Sequence, residues 1–356
     1  MEHKLVVMKT DPAQIFNNFS VPKKDYTFKS ITNGLINDTF LVLDDKQAVY
    51  ILQRINANVF IDIKAVMQNI VTALPLLKSS SYSSISLVKT TKNNSYHTEN
   101  GYWRVLSFIE NSITYDTTTN SKTAFEAGKI ISEFHKLLQD TEVESYKETI
   151  PNFHNLIDRN NQFFDALESA KKERLTEAKK VIRYAEKLLP DLLDFCFTEL
   201  PIRVCHNDTK LNNILFSSTT GKALCLIDLD TLMKGYFYYD FGDAVRTIVN
   251  TANEDEKDVS KITFNKELFS SFVDGLSTNK DLLSTEEIAS LPLGAVFMPF
   301  IHGLRALTDY LSNDTYYKVA YTNQNLDRCI SLFDFSKKAL ENVDFMQEVI
   351  KKKFIS

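Results

Sequence analysis

The sequence predicts an α+β fold in two lobes, a small sheet-rich N-terminal lobe and a larger, mostly helical C-terminal lobe. Three observations predict it. Short β-like runs joined by turn formers fill roughly the first 110 residues around one helix-like stretch. Beyond them the apolar spacing becomes helical and stays so. The helices are interrupted once, by a hairpin with polar ends within residues 204–244.

In order, residues 1–21 read as a short lead-in. Runs 26–31, 39–43 and 48–52 are strands of an antiparallel sheet, separated by the turn formers Thr32-Asn33-Gly34 and Asp44-Asp45-Lys46. Val59, Ile63, Val66, Met67, Ile70 and Leu74 recur at helical spacing and predict a helix over 59–77. Runs 85–90 and 102–108 are two further strands. The connector 108–111 then leads into helices at 121–138, 152–167, 175–189 and 192–199. After the hairpin come helices at 241–250, 266–276, 285–291, 294–311 and 326–353. The lobes divide as 1–110 and 111–356, with a cleft between them.

Composition narrows the function. At 44% hydrophobic and 24% charged, 356 residues can bury a sizeable core. A net charge of -5 argues against a general nucleic-acid binder. Cys196, Cys205, Cys225 and Cys329 form no C-x-x-C pair, which excludes a zinc knuckle or redox motif and suits a reducing cytosol. The N-terminal M-E-H-K-L-V-V-M-K-T-D is too charged for a signal peptide, and no membrane span is expected. A cytoplasmic monomer is expected, with neither nucleic acid nor membrane as partner.

The hairpin carries the chemistry. Its strands are the apolar runs 214–216 and 223–227, and its turn contains Gly221. Antiparallel pairing sets Asn213, just before the first strand, beside Asp228, just after the second. His206, Asp208 and Lys210 occupy the loop leading in. Two carboxylates, an amide and an ammonium at one end of a hairpin suit a divalent cation and a phosphate. H-x-D-x-x-x-x-N alone arises by chance in roughly one such sequence in fifty. An Ile-Asp pair placed after a strand, 228 − 208 = 20 residues on, makes coincidence much less credible.

This pattern resembles the catalytic loop and metal-binding Asp of the protein-kinase-like superfamily, in the branch of aminoglycoside phosphotransferases and choline kinases. The resemblance implies ATP and Mg2+, with Asp208 as the base toward a substrate hydroxyl. It implies Asn213 and Asp228 as metal ligands and Lys210 as neutraliser of the transferred phosphoryl group. His206 ties the loop together. Asp240-Phe241-Gly242 spells the D-F-G of protein kinases, but it lies 240 − 208 = 32 residues past the base. Hairpin geometry favours Asp228 as the ligand and leaves Asp240 and Asp243 to cap or brace the next helix. Asp230 is either a metal or substrate ligand or an exposed loop carboxylate.

On the nucleotide side there is no G-x-G-x-x-G. Asn33, Asn37 and Thr39 either donate to phosphates or only shape their turn. The strand ending Gln53-Arg54 lies where such kinases carry a phosphate-gripping lysine. Arg54 is favoured there for its bidentate guanidinium, with Gln53 as the alternative. The resemblance implies a hinge at the connector 108–111 that binds adenine through backbone groups of Glu110 and its neighbours.

Farther out, Tyr50-Ile51-Leu52-Gln53-Arg54-Ile55-Asn56, His206-Asn207-Asp208-Thr209-Lys210, Ile227-Asp228-Leu229-Asp230-Thr231 and Tyr239-Asp240-Phe241-Gly242-Asp243-Ala244 are similar to N-acetylhexosamine 1-kinases. So are Gly303-Leu304-Arg305 and Asp314-Thr315-Tyr316-Tyr317-Lys318. That family phosphorylates the anomeric hydroxyl of GlcNAc or GalNAc. The resemblance implies Thr231, Arg305 and Tyr317 in the sugar pocket, with Asp208 and Asp230 beside the acceptor. Arg305 and Asp309, at i and i+4, either face a ligand or pair with each other. A choline or aminoglycoside kinase would need an anionic pocket instead, for which Glu254, Asp255, Glu256, Asp258 and Asp309 are available.

Overall fold

The computed structural model describes residues 10–31 and 36–355; the Thr32-Asn33-Gly34 turn lies outside them. In the small lobe, α1 (Pro12–Phe16) starts on an Asp11 cap with proline in its first turn. Strands β1 (Tyr26–Ile31), β2 (Asp38–Asp44) and β3 (Gln47–Ile55) follow, then α2 (Ile63–Ala73), β4 (Leu87–Val88), β5 (His97–Thr98) and β6 (Tyr102–Ser107). The sheet is antiparallel in the order β1-β2-β3-β6-β4, with β5 also on β6.

The pleat sorts this sheet into two faces. Val42, Leu52, Trp103 and Val105 share the back face and pack on Ile15 and Phe16 of α1. Leu41, Ile51 and Leu106 lie opposite one another on the other face, and so do Thr39, Gln53 and Arg104. This second face looks into the cleft.

The large lobe starts with β7 (Ser112–Ile113), which pairs with the hairpin. It continues through α3 (Ser121–Leu138), α4 (Leu156–Ser169), α5 (Lys172–Glu177), α6 (Lys179–Cys196), β8 (Arg203–Cys205), β9 (Ile214–Ser217), β10 (Ala223–Leu226) and β11 (Met233–Gly235). Helices α7 (Phe237–Ile248), α8 (Lys266–Leu276), α9 (Thr285–Leu311), α10 (Gln324–Leu340) and α11 (Val343–Phe354) complete it. Asparagine side chains cap α3, α4 and α8, and Ser284 with Glu287 forms a capping box on α9.

Several expectations are corrected; the expected helices 175–189 and 192–199, for one, are the short α5 and a single α6 that runs through Pro190. Helices 285–291 and 294–311 are one helix, α9, running through Pro292 and Pro299. Each interior proline forfeits a backbone bond at a cost of about 3 kcal/mol, but α9 is the central core helix. Leu291, Val296, Phe297, Phe300, Ile301 and Leu304 are all fully buried on it. Its apolar residues therefore surround the axis instead of forming a stripe. This helix is also long and apolar enough to cross a membrane, contrary to expectation, yet 89% of its most apolar window is buried inside the protein. The predicted 326–353 helix is instead two, broken at Glu341–Asn342, and 59–77 is trimmed at its start by the Asp62 cap.

The lobes are tied together by buried polar contacts. Asn69 of α2 donates to the carbonyls of Lys147 (2.7 Å) and Leu232 (2.8 Å) and accepts the Lys147 N–H. Arg104 of β6 is ion-paired to Asp230 in the turn after the hairpin.

Candidate active site

The hairpin forms as the apolar runs dictate, β10 against β9, and the Ile227 N–H donates to the Asn213 carbonyl at 2.9 Å. Asn213 and Asp228 thus come together at its open end. Asp228 has left-handed backbone, φ 62° and ψ 55°. A non-glycine residue there is uncommon and marks a position held by its surroundings.

The loop before β9 is built around Asp240. This carboxylate, fully buried in the first turn of α7, accepts the His206 N–H (2.8 Å), the Asn207 N–H (2.7 Å) and His135 Nε2 (2.8 Å). The Thr209 hydroxyl donates to its carbonyl. Asn207, also left-handed, donates its amide to the carbonyls of Cys205, Thr231 and Met233. The His206 ring accepts the Asp208 N–H at Nδ1 (3.2 Å), which leaves Nε2–H to donate to the Ile227 carbonyl (2.8 Å). His206 thereby joins the loop to the second hairpin strand. Asp240 braces this loop, not merely its own helix. Phe241 is fully buried, and a Cβ on Gly242 would sit 2.1 Å from the Gly294 carbonyl, so glycine permits the close approach of α7 to α9.

Asp208 rests on this scaffold. Its Oδ2 accepts Asn213 Nδ2 (2.7 Å) and Lys210 Nζ (3.0 Å); its Oδ1 carries no hydrogen bond from the described residues. Asn213 Nδ2 also holds the Asp208 carbonyl (2.8 Å), and the Asn213 Oδ1 is left without a donor among them. Burial lowers the Lys210 pKa, but Asp208 and Asp228 outweigh it and hold the ammonium charged. Burial first, then Asp230 and Asp208, pushes Asp228 from its ordinary 3.8 up to about 6. An unpaired carboxylate beside a free amide oxygen and a second carboxylate is a hard oxygen donor set, and it fits a divalent cation.

The sign of the pH effect follows. A raised carboxyl pKa makes the folded chain hold a proton that the unfolded chain has lost. That stabilisation is lost as pH rises through about 6. Without metal, melting temperature should therefore fall across this range. Mg2+ should restore it above pH 6 and do little at pH 5, as thermal melts with EDTA or Mg2+ would show. Asp228→Ala should remove the Mg2+ response altogether.

Several expectations change. Arg54 points to the back face, paired with Asp38 (2.7 Å) and packed over Trp103. It cannot share the cleft with its neighbour Gln53, because adjacent strand residues face opposite ways. Gln53 does face the cleft, donating to Thr39 Oγ1 (3.2 Å) and accepting Arg104 Nε (3.0 Å) and Nη2 (2.8 Å). Asp230 is no exposed carboxylate and is not open to substrate. Arg104 takes one oxygen, and Asn37 donates to the other at 2.6 Å. Thr231 is buried and spends its hydroxyl on the His206 carbonyl (2.7 Å), so it sets the loop and does not line the pocket. Glu110 is exposed at the connector, and its backbone groups make no hydrogen bond among the described residues.

Beyond Asp208 lies a cluster of which the sequence singled out Asp243, Glu254, Arg305, Asp309 and Tyr317, but not Arg246, Arg328, His154 or His302. Arg246 donates to Asp243 (2.7 Å) and Glu254 (2.6 Å), and Arg328 also holds Glu254 (2.6 Å). Against the effect of burial, Arg328 and Arg246 keep Glu254 well below the usual carboxylate range. His154 sits behind the loop, bonded to the Asn207 carbonyl (3.1 Å) and edge-on to His302. Burial pulls His302 down to about 4 and His154 well below its ordinary value, so both are neutral at pH 7. Arg305 lies over the Phe153 ring at 4.9 Å and has no acidic partner among the described residues. The Arg305–Asp309 pair does not form. Asp309 instead accepts the N–H groups of Tyr316 and Tyr317 and the amide of Asn325. Tyr317 stacks against Arg328 at 4.8 Å.

A small sheet lobe over a helical lobe, with a carboxylate loop and hairpin between them, is the architecture of the protein-kinase-like phosphotransferases. Solved structures share it. An aminopropanol kinase associated with a microcompartment aligns at TM-score 0.64 and 16% identity over 94% of this chain and 97% of its own. An amicoumacin kinase in complex with AMP-PNP, Ca2+ and Ami aligns at 0.59 and 13% over 92% of each. A choline kinase from Cryptosporidium parvum Iowa II aligns at 0.57 and 13% over 97% and 99%. The model of the phosphotransferase enzyme family matches residues 27–259, and the chain belongs to that family.

Proposed function

We propose that this chain is an ATP-dependent sugar kinase that phosphorylates the anomeric hydroxyl of an N-acetylhexosamine, working in the cytosol. The lobe of residues 1–110 takes the nucleotide, and residues 111–356 supply the catalytic loop and acceptor pocket. The arrangement of Asp208, Lys210, Asn213 and Asp228, and the motifs of N-acetylhexosamine 1-kinases spread along the chain, support this reading. Mg2+, when bound by Asn213 and Asp228, would supply charge neutralisation at the phosphoryl oxygens. The free Oδ1 of Asp208 orients the acceptor hydroxyl and takes its proton as the new phosphorus–oxygen bond forms and the γ-phosphorus to bridging-oxygen bond of ATP breaks, releasing ADP. Lys210 neutralises charge on the transferred group.

The observation that carries the choice of acceptor is the charge around the pocket. Arg159, Arg246, Arg305 and Arg328 gather there, with the buried Asp243, the partly exposed Glu254, Asp208 and Asp158 as the acids beside them. Glu254 and Asp309, two of the acids that a cationic acceptor would need, are already spent on arginines and loop amides. An ammonium substrate would meet the guanidinium of Arg305, which has no acidic partner among the described residues. A neutral ligand rich in oxygen acceptors, such as a carbonyl-bearing sugar, meets hydrogen-bond donors instead.

The test is ADP release with GlcNAc, GalNAc, glucose, galactose, choline and an aminoglycoside. Turnover should be greatest with an N-acetylhexosamine. Turnover confined to choline or the aminoglycoside would refute the reading.

A further inference from the structure

The direction of the Asp208 side chain is set by the backbone on either side of its Cα, and the polar groups of that backbone must all find partners. Three of them matter here: the Asn207 carbonyl, the Asp208 N–H and the Asp208 carbonyl. Each is held by a side chain. His206 Nδ1 accepts the Asp208 N–H at 3.2 Å, and Asn213 Nδ2 donates to the Asp208 carbonyl at 2.8 Å. His154 Nε2 lies 3.1 Å from the Asn207 carbonyl, which accepts no other hydrogen bond from the described residues. A carbonyl can only accept, so Nε2 carries the proton and donates it. His206 and Asn213 belong to the loop and hairpin themselves. His154 comes from elsewhere in the chain, 53 residues before Asn207.

His154 is held in turn. It precedes Asn155, the cap of α4, whose side chain accepts the Ile157 and Asp158 N–H groups. Arg159, in the first turns of α4, donates to the carbonyls of Asn152 (3.1 Å) and Phe153 (3.3 Å). The His154 residue is 4% exposed, with its ring among those of Phe153, Tyr239 and His302. Its other nitrogen, Nδ1, is buried and has no hydrogen-bond partner among the described residues. A buried polar atom left unpaired costs stability. A phenylalanine ring would fill much of the same space without that cost. The one hydrogen bond that offsets it is the bond to the Asn207 carbonyl.

We propose that His154 is a positioning residue for the phosphoryl transfer: it aims Asp208 by clamping the peptide bond that leads into it. That peptide plane is held at both edges, its carbonyl by His154 and its N–H by His206. The tilt of the plane decides where Asp208 Oδ1 points, and so how well it meets the acceptor hydroxyl. His154 acts through Asp208 and needs no contact with acceptor or nucleotide. The inference rests on the reading of Asp208 as the base.

Steady-state kinetics of His154→Phe and His154→Gln test it, with ATP, Mg2+ and whichever acceptor the wild type turns over fastest. His154→Phe keeps a ring without a donor. It should lower kcat roughly 10- to 100-fold, the loss expected for a misplaced reacting group, with both KM values held within about threefold. Its melting temperature should stay near that of wild type. Gln can present an N–H to the same carbonyl, so His154→Gln should recover most of the loss. In an Asp208→Asn background the base is already gone, and adding His154→Phe should change the residual kcat by less than about threefold. Near-normal kcat in His154→Phe overturns the proposal. So does a loss that persists in full in the Asp208→Asn background, or one that His154→Gln does not recover, as a merely structural role would give. Should His154→Phe not fold, His154→Ala takes its place, and equal kcat in His154→Ala and His154→Gln overturns the proposal. Near-normal kcat in Asp208→Asn alone would instead sink the reading of Asp208 as the base.

Discussion

Replacing Asp208 by Asn should lower turnover by roughly 10²- to 10⁴-fold, the range for losing a positioned general base, while leaving the fold and nucleotide binding close to normal. The reason lies in how the carboxylate is shared. Oδ2 is committed to Asn213 and Lys210, and Oδ1 takes no hydrogen bond from the described residues. An amide at this position keeps one acceptor oxygen, so the loop can retain its shape, but it cannot take a proton. It also leaves Lys210 without its nearest counter-ion. The variant should melt within a few degrees of wild type and bind ATP·Mg2+ comparably, with the defect in kcat. Near-normal kcat would remove Asp208 from the role of base.

Asp240→Ala should act almost wholly on stability. Truncation strands two backbone N–H groups and the His135 ring in a fully buried site. Breaking such a buried charged network costs about 3–5 kcal/mol. The effect should appear as a lower urea midpoint with an unchanged slope. Asp240→Asn should cost less, because one acceptor oxygen survives. Folded Asp240→Ala that has lost metal-dependent ATP binding, beside an Asp228→Ala that has kept it, would mean that the D-F-G aspartate is the ligand after all.

Legibility in the sequence followed the distance between partners. The Asp208 loop and the hairpin could be read because Asp208, Asn213 and Asp228 are close in the chain and sit at the ends of apolar runs. A two-stranded turn then brings them together without further information. The Arg104–Asp230 pair spans 126 residues. Nothing local in Trp103-Arg104-Val105 distinguishes a cleft-facing arginine from a solvent-facing one, except that a cation is flanked by apolar neighbours. The strand period itself held the clue that Gln53 and Arg54 must face opposite ways. The arginines around the proposed acceptor pocket come from α4, α7, α9 and α10 and have no common motif. Thr231 was misplaced because a threonine beside a loop serves a carbonyl as readily as a ligand. Helix α9 was divided because proline is a sound stop signal for surface helices, and only the surrounding core reveals that it is overridden here.

The most direct test of the account is the position of the phosphate in the product. Wild-type chain, ATP, Mg2+ and N-acetylglucosamine or N-acetylgalactosamine should yield a phosphorylated sugar without a reducing end, its phosphorus coupled to the anomeric proton in the NMR spectrum and its phosphate acid-labile. A product that still reduces, with phosphorus coupled to the C6 protons, or no phosphorylated N-acetylhexosamine beside a phosphorylated amine, would contradict it.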